Sequence, residues 1–206
     1  LGFKLFPFVM SLALSFTQYD IINPREDVGL DNYKELFGAD PLFQKSLGVT
    51  LSFVALSVPL RVGFALFIAH VLNFKLRGIN FFRSAYYLPS ILGGSIAAAV
   101  MWRFIFSQNG LVNIGLSKLG IEPIAWLADE HYALWTVVLL FTWQFGSAMV
   151  IFLAALQNVP TSLYEAAEID GASKTQQFFR ITVPLITPVI FFNMIMQMVQ
   201  AFQEFN

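Results

Sequence analysis

The polar side chains able to do chemistry fall into two groups. One is a ladder near the end of the chain: Asn193, Gln197, Gln200 and Glu204, spaced four, three and four residues apart, with Gln203 beside it. Those intervals place all four on one face of a helix. Amide side chains offer donors and acceptors together, which suits a hydroxyl-rich ligand without demanding a charge. Gln144 and Ser147, flanked by Trp143 and Gly146, form a smaller polar group upstream. The second group is a polar island, Glu165-Ala166-Ala167-Glu168-Ile169-Asp170-Gly171, followed by Ile181-Thr182-Val183-Pro184. Nothing resembles a reaction centre. The chain has no cysteine, and its two histidines, His70 and His131, lie far apart. Thiolate metal sites and disulfides are excluded, and no nucleophile–base pair stands within an apolar run.

The elements that must position these groups are apolar. Of 206 residues, 57% are hydrophobic and 12% charged, against about 25% charged in a soluble chain. The apolar residues come in long uncharged runs, so the chain reads as an all-α integral membrane protein. A spanning helix needs roughly 20 mostly apolar residues, and five segments meet that measure: 3–19, 47–73, 84–106, 132–156 and 183–202. Arg61 interrupts the second; Pro89 and Gly93-Gly94-Ser95 lie inside the third. Pro184 fits the first turn of the fifth, where a missing N–H costs nothing. The whole reads as one transmembrane domain over 1–206. The start at Leu1 and the end at Asn206, directly after an apolar run, give the look of a clipped chain.

Loop charge sets the orientation. Lys75, Arg77 and Arg83 share a short loop without an acid, so that loop is expected in the cytoplasm, with Lys4 on the same side. The loop from Asp20 to Lys45, with six acids against three bases, falls outside, as does 107–131. Alternation then puts loop 158–182 in the cytoplasm. In the outer loops, residues 30–37 and 110–119 carry apolar positions at helical spacing and are expected as interfacial helices. Trp126, Tyr132 and Trp135 suit an aromatic belt. A net charge of −1 without a basic stripe argues against nucleic acid.

The island has internal grammar. Ser162-x-x-Glu165 and Ser173-x-x-Gln176 are capping boxes, and Gly171 suits the left-handed conformation that ends a helix. The residues therefore specify two short helices, about two turns each, around a glycine turn. Ala166 and Ala167 keep one face thin enough for another backbone or ring to approach. Glu165 and Ser162 also fit a purely structural capping role.

The combination Glu-Ala-Ala, three residues, Gly, nine residues, Ile-x-Val-Pro resembles the cytoplasmic loop of binding-protein-dependent ABC importer permeases, with Val183 where that pattern has Leu. Phe152 to Pro160, Leu163-Tyr164, Ile169 to Ala172, Phe82-Arg83 with Leu88-Pro89, the Trp102 region and Gly110 to Asn113 look like the carbohydrate-uptake branch, the maltose- and glycerol-phosphate-like inner-membrane permeases. The resemblance implies a six-span core, of which five spans are visible and the last is missing. It implies a second, related but heterologous permease chain, two ATPase subunits and an extracytoplasmic solute-binding protein, in a bacterial or archaeal cytoplasmic (inner) membrane. ATP and magnesium would belong to the ATPase; this chain would hold no cofactor and be no enzyme. Glu165, Ala166, Ala167, Asp170, Gly171 and Ala172 would sit in a cleft of the ATPase.

Polar residues within spans usually face the bundle interior or a water-filled path. The ladder and the Gln144–Ser147 group are thus candidates for a substrate pathway; bonding to neighbouring helices is the other use of such residues. Arg61 requires an acidic or carbonyl partner, or a path to water. Arg103 is read as snorkelling to the interface, and His70 as a packed side chain. The competing function is an ion-coupled secondary carrier, a class with internal repeats, broken helices and ionisable groups at the midplane.

Overall fold

A computed structural model describes residues 2–19, 22, 25–74 and 78–204. Lys75 and Arg77, on which the orientation of the 75–83 loop rests, lie outside the described residues, as do Leu1, Asp20, Phe205 and Asn206. The chain divides into two compact units, residues 1–51 and 52–206, and each is described by itself.

The first unit holds α1 (Gly2–Leu14), a two-stranded antiparallel ribbon of β1 (Thr17–Gln18) and β2 (Glu26–Asp27), and α2 (Asp31–Gly38). The first apolar helix therefore ends at Leu14, short of the expected 19. The hydroxyls of Ser15 and Thr17 donate back to the carbonyls of Leu12 and Leu14, a local bond that competes with further helix. Asn32 of α2 donates to the carbonyls of Ser15 and Thr17 and holds the turn. The next helix, α3 (Pro41–Leu72), begins six residues before the expected 47. Asp40 accepts from the N–H groups of Leu42 and Phe43, and Pro41 takes the first helical position, so a polar cap extends the apolar run.

The second unit carries the rest of α3 and the core. Where 84–106 reads as one span, the chain forms α4 (Ile79–Leu92) and α5 (Ile96–Ile105), bent by 100°. The Gly93-Gly94-Ser95 cluster is the cause, because Ser95 accepts from the Ala98 N–H and starts a new helix. The 132–156 segment is likewise α7 (Glu130–Trp143) and α8 (Gly146–Gln157), bent by 46°. Between the bent pairs lies α6 (Leu111–Lys118), at the place the apolar spacing of 110–119 marks. Asn113, 2% exposed, ties this region together. Its amide donates to the carbonyls of Ser107, Gln108 and Ile124 and accepts from the Ile124 N–H and the Trp126 indole.

The chain closes with α9 (Thr161–Ile169), then α10 (Lys174–Gln177), a π-helical turn (Phe178–Thr182) and α11 (Val183–Gln203). The last three are continuous over Lys174–Gln203. Among the described residues, Pro41–Leu72 and Lys174–Gln203 are each long and apolar enough to cross a membrane, and each bent pair reaches that measure only as a pair. Phe53, Val58, Phe141, Met149, Phe152 and Ile186 form the buried core. It is small beside the apolar surface left exposed, which includes Phe67, Phe104, Phe191 and Phe192. A surface that apolar is solvated by lipid tails, so the burial rule of a water-soluble fold does not govern it.

Candidate functional site

Around the island, local chemistry builds a sharp object. α9 ends in a Schellman motif: the Ala172 N–H donates to the Ala167 carbonyl at 2.9 Å and the Gly171 N–H to the Glu168 carbonyl at 3.0 Å. Gly171 sits at φ +78°, the left-handed conformation expected of it. Ser173 and Gln176 then make both halves of their capping box. The first box does not form. Pro160, at φ −60° and ψ 130°, is the N-cap of α9 without a side-chain bond, so Ser162 falls inside the helix. Proline's fixed φ sets the start two residues early, and Glu165 is left exposed with no capping duty. The second short helix is also not separate: α10 is the first turn of the 30-residue helix that carries the polar ladder.

Glu165 and Ala166 are exposed, and Ala167 is half-buried. Beside them Ile169 is 87% exposed, an outward aliphatic that the sequence reading passed over. Its position four residues beyond Glu165 was the available signal. Asp170, Gly171 and Ala172 line a surface depression of about 400 Å³ together with Ala167, Arg180 and Ile181. Across the turn Lys174 donates to the Glu168 carboxylate. That bond and the charge behind it hold the Glu168 carboxyl below the usual carboxylate range.

The polar ladder divides in two. Asn193 and Gln197 are 0% and 3% exposed, on the buried face of α11 with Ile186 and Ala201. Gln200 and Glu204 are exposed. Asn193 donates to the Val189 carbonyl of its own helix at 3.2 Å. Its side-chain oxygen and that of Gln197 have no protein partner among the described residues. Buried polar atoms left this way are uncommon and call for an explanation.

Gln144 and Ser147 belong to the break between α7 and α8. The bend frees the Gln144 carbonyl, which accepts from Arg61 at 2.6 Å and from the Ser90 hydroxyl at 2.9 Å. The Ser147 N–H donates to the same Ser90 oxygen at 3.0 Å. Arg61 also lies 4.2 Å from the Phe141 ring centroid, so it meets both a carbonyl and a π face. Glycines let the helices close on this node. A Cβ on Gly146 would meet the Tyr86 carbonyl oxygen at 2.7 Å, and one on Gly93 would meet the Gln144 side chain. Trp143 packs on Trp102 at 5.9 Å between centroids. His70 packs on Phe178 at 4.5 Å, as the packing role expects. Arg103 is exposed.

Apolar helices, two pairs of them bent by more than 40°, and a capped polar turn leading into the last long helix have the layout of a membrane permease. Residues 45–205 match the family described as binding-protein-dependent transport system inner membrane component, and the chain belongs to that family. It is 50% identical over 207 residues to the probable ABC transporter permease protein YesP of Bacillus subtilis (strain 168), across 100% of this chain and 67% of that one. It is 36% identical over 209 residues to the lactose transport system permease protein LacF of Rhizobium radiobacter, across 99% of this chain and 69% of that one. The structure superimposes on a chain of a bacterial alginate ABC transporter, solved in complex with an alginate pentasaccharide-bound periplasmic protein. The TM-score is 0.74 at 26% identity, covering 91% of this chain and 63% of that chain. The chain thus spans about two thirds of the length of these relatives. They are permease subunits, and this chain, like them, is not an enzyme.

Proposed function

We propose that this chain is the multi-pass subunit of an ATP-driven importer, forming with a second permease chain the pathway for a sugar or sugar-like solute. An extracytoplasmic binding protein delivers the cargo, and two ATPase subunits drive its passage. The observation that carries the reading is the Schellman turn at Gly171, which presents Glu165, Ala166, Ile169 and Asp170 on a rigid polar knob. Loop 158–182 is the coupling loop that the ATPase grips. The sugar assignment draws support from the relatives named for lactose and alginate and from the chemistry of the ladder. Gln200 and Glu204, exposed on α11, and the half-buried Ser147 lead the polar lining of the pathway. Asn193 and Gln197, whose acceptors are unspent, and Gln144 are buried in this chain and join the lining when its helices part.

One observation favours a second reading, an ion-coupled carrier: two broken helices, the geometry such carriers use at their binding sites. Against it, Arg61 bonds the carbonyl freed at one of those breaks. The test is uptake from a panel of labelled oligosaccharides by proteoliposomes holding the permeases, the ATPase and the binding protein. Uptake is expected to need ATP. The Gly171→Val variant is expected to lose most of it while still inserting, because a Cβ there meets nothing but a left-handed φ strains an L-residue by roughly 1–2 kcal/mol. Uptake driven by an ion gradient without ATP would overturn the reading.

A further inference from the structure

Side-chain bonds tie the knob at Gly171 to the helix that bears the polar ladder, Glu168 to Gln177 among them, and they are not equivalent. Glu168 to Lys174 and Gln177 to the Ala172 carbonyl close the turn itself, bridging six and five residues. Another passes the turn: the Tyr164 hydroxyl and the Thr182 hydroxyl share a hydrogen bond at 2.7 Å across 18 residues. Thr182 is 2% exposed and is the last residue of the π-helical turn.

The π-turn has a physical cause. Pro184 carries no N–H, and in regular α-helix its ring would press on the carbonyl of Arg180. Widening the turn over Phe178–Thr182 avoids that clash, and the Val183 N–H bonds the Phe178 carbonyl five residues back. The wide turn also holds the Thr182 hydroxyl where Tyr164 reaches it. The tyrosine ring packs against the edge of the core. A cavity of about 200 Å³ opens beside it, bounded by His70, Leu156, Gln177 and Phe178.

We infer that Tyr164 and Thr182 are positioning residues for the transport cycle. Their hydroxyl bond makes α9, the Gly171 turn and the Lys174–Gln203 helix one rigid lever, so that a displacement of the knob reaches Asn193 and Gln197 undiminished. The inference rests on the coupling reading, in which the ATPase moves the knob. Without the bond, α9 swings on the Gly171 turn and the displacement is absorbed there.

The test uses spin-label pairs in the complete transporter, chain with partner permease, ATPase and binding protein, measured without nucleotide and after trapping with ATP and vanadate. Labels at Ile169 and Phe192 report the lever; labels at Ile169 and Phe67 report its movement against α3. All three positions are more than half exposed. In the wild type about three quarters or more of the population is expected to keep the original first distance on trapping while the second shifts. In Tyr164→Phe and Thr182→Val the first pair is expected to gain a second distance on trapping, with a population near that of the original. One hydrogen bond biases such an equilibrium by roughly three- to tenfold. Thr182→Ser, which keeps the hydroxyl, is expected to keep the wild-type distribution. A wild-type Ile169–Phe192 distance that changes on trapping in most of the population overturns the inference, as does a single unchanged distance in both hydroxyl-deleted variants. If trapping moves neither pair in the wild type, the coupling reading itself fails and the lever with it.

Discussion

Ser90 does two jobs with one oxygen: it donates to the carbonyl released by the break between α7 and α8, and it accepts from the Ser147 N–H. Both backbone groups lie in the interior of a membrane protein, where each unmet group is expensive. Replacing Ser90 with alanine strands the Ser147 N–H. The expected loss is about 1–3 kcal/mol, the desolvation penalty of one buried donor, read as a lower unfolding temperature of the purified protein. An unchanged temperature would mean that the node does not hold the break. Arg61 was legible as a charge in need of a carbonyl or an acid, because any guanidinium in an apolar run has that need. Which carbonyl was not legible. Gln144 offers one only because the helix breaks there, and the break depends on Gly146 meeting Tyr86 and Ser90 of another helix.

Among the elements, those governed by neighbours in sequence were readable and those governed by distant contacts were not. The Gly171 turn and the Ser173–Gln176 box follow from residues within six positions of each other, and the structure has both. The Ser162–Glu165 box matched the same pattern and fails because Pro160, two residues before Ser162, fixes where the helix begins. The two bends were hidden inside apolar runs of the right length, although Gly93-Gly94-Ser95 marked one of them. The π-turn left one trace, Pro184, which also fits an ordinary first turn. The Glu168–Lys174 tie gives this region a pH dependence of known sign. The folded-state pKa of Glu168 is lowered, so the tie contributes above the ordinary glutamate range and is lost as pH falls through the lowered value. Carboxyl NMR is expected to show Glu168 titrating below the ordinary range, and Lys174→Met is expected to return it there. Both residues are exposed, so added salt should weaken the effect.

At the scale of the molecule, composition and run length mark an all-helical membrane protein, and the island resembles the family to which the chain belongs. The polar ladder was read as one face, but its lower half is buried and its upper half exposed. Helical periodicity places residues around an axis and is silent about what packs along it. The central claim is that the knob at Gly171 docks on a cytoplasmic ATPase. The chain contains no cysteine, so Ile169→Cys gives this chain a single thiol on the knob, at a position 87% exposed. In membranes containing the assembled transporter, a short thiol-to-amine crosslinker at this position is expected to join the chain to the ATPase subunit. Crosslinking to the extracytoplasmic binding protein, or none to the ATPase in a complex that still transports, would contradict the account.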